Sequence, residues 1–238
     1  MAAVTLLKAR RLSKSFGGVR AVQAVDFDLR EGEIRAIIGP NGAGKTTFVD
    51  LLCGRIAANQ GTVEFAGCDI TALAVHRRVR LGIAYTFQIT SIFANLTVLE
   101  NIAIAAQNRL PERGGAPFDA IETLRRVGLG GQENRRAGAL AYGHQRLLEA
   151  AMGLSLNPRL LIFDEPTQGL SDGEIQGFCD LLADANRSTT ILLIEHNMPV
   201  VMKLARRITV FDRGRVLAEG APRDIQDNAA VQAAYLGQ

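Results

Sequence analysis

Gly39-Pro40-Asn41-Gly42-Ala43-Gly44-Lys45-Thr46-Thr47 decides the reading of this chain. The run fits G-x-x-x-x-G-K-[S/T] and stands between a short apolar strand, Glu33 to Ile38, and a helical stretch, Lys45 to Cys53, that Gly54 is placed to cap. Glycines in such a loop let backbone amides turn inward to form an anion nest, and the helix that follows adds the partial positive charge of its N-terminus. A polyphosphate is the ligand this arrangement suits. Gly39, Asn41, Gly42, Gly44, Lys45, Thr46 and Thr47 are therefore candidate nucleotide ligands. Lys45 is expected to bridge the β- and γ-phosphates, and the Thr46 hydroxyl to hold Mg²⁺.

Working outward, Leu160-Leu161-Ile162-Phe163-Asp164-Glu165 is an apolar strand that ends in two carboxylates. In an open α/β sheet, ligands collect at the carboxyl ends of the strands, so Asp164 is expected beside the phosphate loop. Asp164 would reach Mg²⁺ through water, and Glu165 would orient or deprotonate an attacking water.

The rest of the chain supports a parallel-sheet protein. Val25, Phe27 and Leu29 alternate with Asp26, Asp28 and Arg30, the period of a half-buried strand. Gly61 to Gly67 and Gly82 to Phe87 read as further short strands, with a basic helix between them. Thr97-Val98-Leu99-Glu100 is a capping box opening an apolar helix, and Asp119 to Glu122 repeats the logic before a second one. Pro111 to Pro117 is a loop, so residues 90–156 read as an inserted helical subdomain. After Pro158 strands and helices alternate again: Arg159–Phe163, Asp172–Ala185, Thr189–Ile194, Met198–Ala205, then a hairpin about Asp212-Arg213-Gly214 and a short helical tail. Short apolar strands between helices imply a mostly parallel sheet covered on both faces.

Composition sets the outer limits. The chain has 238 residues, 47% of them hydrophobic and 21% charged, which excludes wholesale disorder and allows a large core. No apolar run approaches the 20 or so residues needed to span a bilayer, and the N-terminus has no signal-like apolar region. Net charge is only +3, and His76-Arg77-Arg78-Val79-Arg80 reads as a solvated helix face, so no nucleic-acid partner is expected. Cys53, Cys68 and Cys179 are scattered and odd in number, hence reduced thiols; His76, His144 and His196 are equally scattered and make no zinc site.

Leu140-Ala141-Tyr142-Gly143-His144-Gln145-Arg146 resembles the LSGGQ signature of ATP-binding-cassette ATPases, and it precedes Asp164-Glu165 at the spacing seen in that family. Gln88 resembles the family's Q-loop glutamine, His196 its switch histidine, and Phe16 the aromatic residue on which adenine stacks. The resemblance covers essentially the whole chain. Within the family, the wording GPNGAGKTTFVDLLCG, LTVLEN, LAYG, TTILLIEH and Ala234-Tyr235-Leu236-Gly237 is most similar to the branched-chain amino acid, amide and urea uptake group.

The resemblance implies a P-loop ATPase of a single cassette domain, residues 1–238. Its catalytic core, with an antiparallel β subdomain, would be 1–89 and 157–238, and its helical signature subdomain 90–156. It implies ATP and Mg²⁺ as ligands, with Thr46, Gln88 and Asp164 about the metal and Glu165, His196 and Gln88 in catalysis. A second cassette chain, identical or related, would sandwich the ATP against Ala141, Tyr142, Gly143 and His144. Membrane-spanning permease subunits would be the direct partners and a periplasmic or extracellular solute-binding protein an indirect one. The chain would then be cytoplasmic, peripheral on the inner face of the cell membrane. An exporter motor of the lipopolysaccharide-export type and a soluble ATPase of complex assembly share much of this pattern. Ala141 stands where the family usually has Ser, His144 where it has Gln, Ser171 where it often has Asp or Asn, and Asn197 where Asp is frequent.

Overall fold

The computed structural model describes residues 4–86, 91–107, 110 and 118–236, with side chains described through Ala234. The chain divides into two compact units, Met1–Arg78 with Leu192–Gln238, and Val79–Ile191.

The first unit opens with two long strands, β1 (Thr5–Phe16) and β2 (Val19–Arg30), paired antiparallel from Phe16↔Val19 to Thr5↔Arg30. Val25, Phe27 and Leu29 are buried and Asp26, Asp28 and Arg30 exposed, the expected period of two. Next comes β3 (Ile34–Ile38), and β4 (Gln60–Phe65) and β5 (Cys68–Asp69) complete a sheet of order β2-β1-β4-β5. Every residue of β3 is buried, as a strand covered on both faces requires. It runs parallel to β9 (Arg207–Asp212), which turns back antiparallel into β10 (Arg215–Gly220). Between β3 and β4 lies α1 (Lys45–Cys53), at the expected bounds, with Gly54 left-handed at φ 76° as its C-cap. Phe48 of α1 locks it in place, its ring 5.4 Å from Phe27 and 5.0 Å from Phe211.

The basic run lies on α2 (Val75–Leu81), and there the expectation of a solvated face needs one correction. His76, Arg77 and Arg80 are exposed, but Arg78 is buried. Its guanidinium donates to the carbonyls of Leu51, Leu52, Leu73 and Thr71 at 2.7–3.0 Å, closing the C-terminal end of α1. The planar fork of arginine suits this multiple donation.

The second unit holds β6 (Ile83–Thr86), parallel to β7 (Leu160–Asp164), and the helices α3 (Val98–Ala106), α4 (Ala120–Arg126), α5 (Tyr142–Ser155) and α6 (Asp172–Ala185). Thr97 and Glu100 form the expected reciprocal box, at 3.1 and 2.7 Å. Asp119 caps α4 through the amides of Ile121 and Glu122, but the Glu122 carboxylate turns to Arg125 instead of completing a box. Phe163 meets Phe178 of α6 edge to face, centroids 5.5 Å apart. The helices expected between 90 and 156 thus share a unit with β6, β7 and α6.

The fully buried strand β8 (Thr190–Ile194) passes from the second unit into the first, where α7 (Met198–Leu204), α8 (Pro222–Gln226) and α9 (Ala229–Leu236) follow. Val201 packs with Ala36, Ile38, Ile208, Val210 and Ile225 in one apolar cluster. Cys53 and Cys179 are buried, Cys68 is exposed, and none of the three is in a disulfide. Among the described residues no helix is long and apolar enough to cross a membrane.

Candidate active site

The candidate residues fall into the two units and are described unit by unit. In the first, β3 delivers the chain to Gly39, and the loop to Gly44 is held so closely that side chains have no room. A Cβ on Gly39 would lie 2.2 Å from the Phe211 carbonyl oxygen, and one on Gly44 2.2 Å from that of Ala21. Gly44, left-handed at φ 98°, is the N-cap of α1 and supplies no side-chain cap. The first amides of α1 are thus offered to an external anion. Gly214 donates to the Ala43 carbonyl at 2.9 Å and fixes the loop from the β9–β10 turn. Lys45 is buried and folds back over the loop, its Nζ donating to the carbonyls of Gly39 at 2.6 Å and Pro40 at 3.0 Å. A cationic centre inside a ring of glycine backbone fits a nucleotide polyphosphate. Asn41, Gly42 and Thr46 are exposed and Thr47 half-buried.

Phe16, at the end of β1, is 51% exposed, an open ring face with Lys14 Nζ 5.2 Å from its centroid. His196 follows β8, its side chain 59% exposed. Beneath it lies a residue whose part sequence reading missed. Glu195 is fully buried, and its Oε2 accepts the backbone amides of His196 at 2.7 Å and Asn197 at 2.9 Å. An acid directly after four aliphatic strand residues, Ile191–Ile194, is the available signal. Asn197 caps α7 through the Val200 amide.

In the second unit, β7 ends at Asp164, which is buried, and Tyr85 of β6 donates its hydroxyl to Oδ2 at 2.9 Å. Tyr85 also escaped the sequence reading, because β6 meets β7 only through the fold. Glu165 is half-buried and adopts φ 49°, a left-handed conformation that costs a non-glycine residue about 1 kcal/mol. Such strain is commonly kept where chemistry needs it. The N-cap and first turn of α5 bring Ala141, Tyr142, Gly143 and His144 together. Ala141 is the N-cap without a side-chain hydrogen bond, so here too the first helical amides are offered outward. Tyr142 is 47% exposed and backed by the Arg146 guanidinium, 5.4 Å from its ring.

Gln88 lies outside the described residues. Among those described, no three His, Cys, Asp or Glu side chains cluster to hold a metal ion. The donors assigned to Mg²⁺, the Thr46 hydroxyl and the Asp164 carboxylate, fit it nonetheless. Both are hard oxygens, and Mg²⁺ commonly takes one or two protein oxygens with waters and substrate phosphates.

The comparisons agree with this chemistry. Residues 22–168 match the ABC transporter family model, and residues 215–238 match the model described as branched-chain amino acid ATP-binding cassette transporter. The chain is 38% identical to LivG of Salmonella typhimurium, a high-affinity branched-chain amino acid transport ATP-binding protein, across 98% of both chains. It is 36% identical, with the same coverage, to BraF of Pseudomonas aeruginosa, which carries the same description. The crystal structure of the ADP conformation of MJ1267, an ATP-binding cassette of an ABC transporter, superposes with TM-score 0.87 at 27% identity. It covers 99% of this chain and 100% of that one. On these matches, this chain belongs to the ABC transporter family of ATP-binding, ATP-hydrolysing cassettes.

Proposed function

We propose that the chain is the energy-coupling ATPase subunit of an importer for branched-chain amino acids or related amides or urea. The observation that carries this reading is the likeness to LivG over 98% of both chains, joined by the match of residues 215–238 to the branched-chain cassette model. The domain reading goes with it: residues 1–238 form one cassette, 1–89 and 157–238 its core and 90–156 its helical signature lobe.

The residues divide the work as follows. Phe16 stacks on adenine, while the backbone of Gly39, Asn41, Gly42 and Gly44, with Lys45 and Thr47, holds the phosphates. Thr46, Gln88 and, through water, Asp164 would hold Mg²⁺, which would supply charge neutralisation to the phosphates. Glu165 takes a proton from the water that attacks the γ-phosphorus. The bond to the β,γ-bridging oxygen breaks, and ADP and inorganic phosphate leave. His196 hydrogen-bonds the γ-phosphate from the buried seat of Glu195. Ala141, Tyr142, Gly143 and His144 take the γ-phosphate of ATP bound to a second cassette chain, identical or related. Closure of that pair moves two permease subunits from the inner face of the membrane, and a solute-binding protein delivers solute to them from the other side.

The test is purification of the chain from native membranes with identification of its companions, together with leucine, isoleucine and valine uptake by cells carrying Lys45→Ala. Permeases, a solute-binding protein and lost uptake are the expected result. Lipid-export partners, or a complex of soluble proteins with uptake intact, would overturn the reading.

A further inference from the structure

Within the second unit, the first turn of α5 meets the stretch from Gly169 to Glu174 residue by residue. Tyr142 lays its ring against Gly169, where a Cβ would stand 2.7 Å from Cδ1 of the ring. Gly143 faces the Glu174 carboxylate, and a Cβ there would stand 2.6 Å from Oε1. His144 presents Nε2 to that same oxygen at 3.7 Å. The other oxygen, Oε2, accepts both the amide of Ser171 at 2.8 Å and its hydroxyl at 2.7 Å. One carboxylate therefore touches the signature turn on one side and, on the other, the loop that runs back six residues to Glu165.

The surroundings orient the imidazole. Gln132 places Nε2 3.4 Å from His144 Nδ1, and Arg135 donates to the Gln132 Oε1, which leaves the amide nitrogen facing the ring. Nδ1 then accepts, and Nε2 carries its hydrogen toward Glu174. Arg146, the next charged residue along α5, is turned to Tyr142 and to Glu149 at 3.2 Å. Hydrogen bonds from Ser171, and secondarily the charge of His144, hold the Glu174 carboxyl below the usual glutamate range, so it is anionic throughout the range in which imidazoles titrate.

We propose that Glu174 is a positioning residue that ties the signature turn to the loop carrying Glu165, and that protonation of His144 tightens the tie. The inference rests on the reading above, in which the signature turn takes the γ-phosphate of ATP on a second cassette chain. A carboxylate beside the positive N-terminus of α5 opposes that incoming phosphate, and an imidazolium between them offsets it.

The experiment is steady-state ATP hydrolysis by the full-length chain at pH 6 and pH 8, where histidine changes charge. At pH 6, His144→Gln raises the KM for ATP about two-fold more than it does at pH 8, the size suited to a partly exposed pair. His144→Lys shows the same KM at both pH values, and in a Glu174→Gln background the effect of His144→Gln no longer depends on pH. An equal KM ratio at both pH values, or a pH-dependent ratio that persists without the Glu174 charge, overturns the proposal and leaves the ATPase reading standing. A folded chain with no turnover at either pH overturns the ATPase reading itself.

Discussion

Tyr85 and Asp164 are joined side chain to side chain across neighbouring parallel strands, the phenol donating to Oδ2 at 2.9 Å beneath a carboxylate that is 1% exposed. A hydrogen bond to a buried charge contributes about 1.5–3 kcal/mol. Tyr85→Phe is therefore expected to lower stability to urea unfolding by about 2 kcal/mol. The same bond fixes the plane of the carboxylate proposed to reach Mg²⁺. The variant should need more Mg²⁺ for half-maximal hydrolysis while kcat at saturating metal stays within about two-fold. An unchanged metal requirement would separate Asp164 from the metal.

Glu165, the proposed base, has a backbone conformation that resists its side chain, φ 49°. Two substitutions pull these apart. Glu165→Gln keeps the strain and removes the base, so steady-state hydrolysis is lost, ATP is retained and the melting temperature stays put. Glu165→Gly loses hydrolysis equally but relieves the strain. It should melt about 2 °C higher, the shift that roughly 1 kcal/mol gives a chain of this size. Equal melting temperatures for the two variants would refute the strain.

The features legible beforehand were those written in neighbouring residues. The bounds of α1 follow from Gly44 and Gly54, both within a turn of the helix ends they mark. The phosphate loop is equally local, nine consecutive residues between a strand and a helix. What escaped, apart from Glu195 with its partners in the next two residues, were side chains whose partners lie far along the chain. Tyr85 is 79 residues from Asp164, and Arg78 is 26 and 27 from the carbonyls of Leu52 and Leu51 that it holds. In a run of five basic and apolar residues nothing local tells the buried arginine from its exposed neighbours. Only the turn at Gly54, where a Cβ would stand 2.5 Å from Arg78 Nε, selects it.

Arg78 accordingly behaves as a core residue. Burial pulls its pKa below the usual arginine value, yet it stays cationic and faces four carbonyls. Arg78→Met would leave those carbonyls short of a donor and should cost about 3 kcal/mol or more in thermal or urea unfolding. Arg78→Lys should recover less than half of that, since a single ammonium cannot reproduce the fork. Arg77→Met, one residue away and exposed, should change stability by less than about 0.5 kcal/mol. Similar losses for Arg77 and Arg78 would return the whole run to a solvated face.

Glu195 is placed to act on the proposed chemistry through His196. Its fully buried carboxylate accepts the amides of His196 and Asn197, so it sets the direction in which the imidazole leaves the strand and makes no use of its own exposure. Removing it should misplace the γ-phosphate contact without touching the loop that binds the rest of the nucleotide. Glu195→Ala is thus expected to lower kcat about ten-fold, equivalent to roughly 1.4 kcal/mol, with the KM for ATP nearly unchanged. His196→Ala should lower kcat further, and Glu195→Ala added to it should cost nothing more, because two residues acting through one contact are not additive. Independent, multiplying losses would instead assign Glu195 a role of its own.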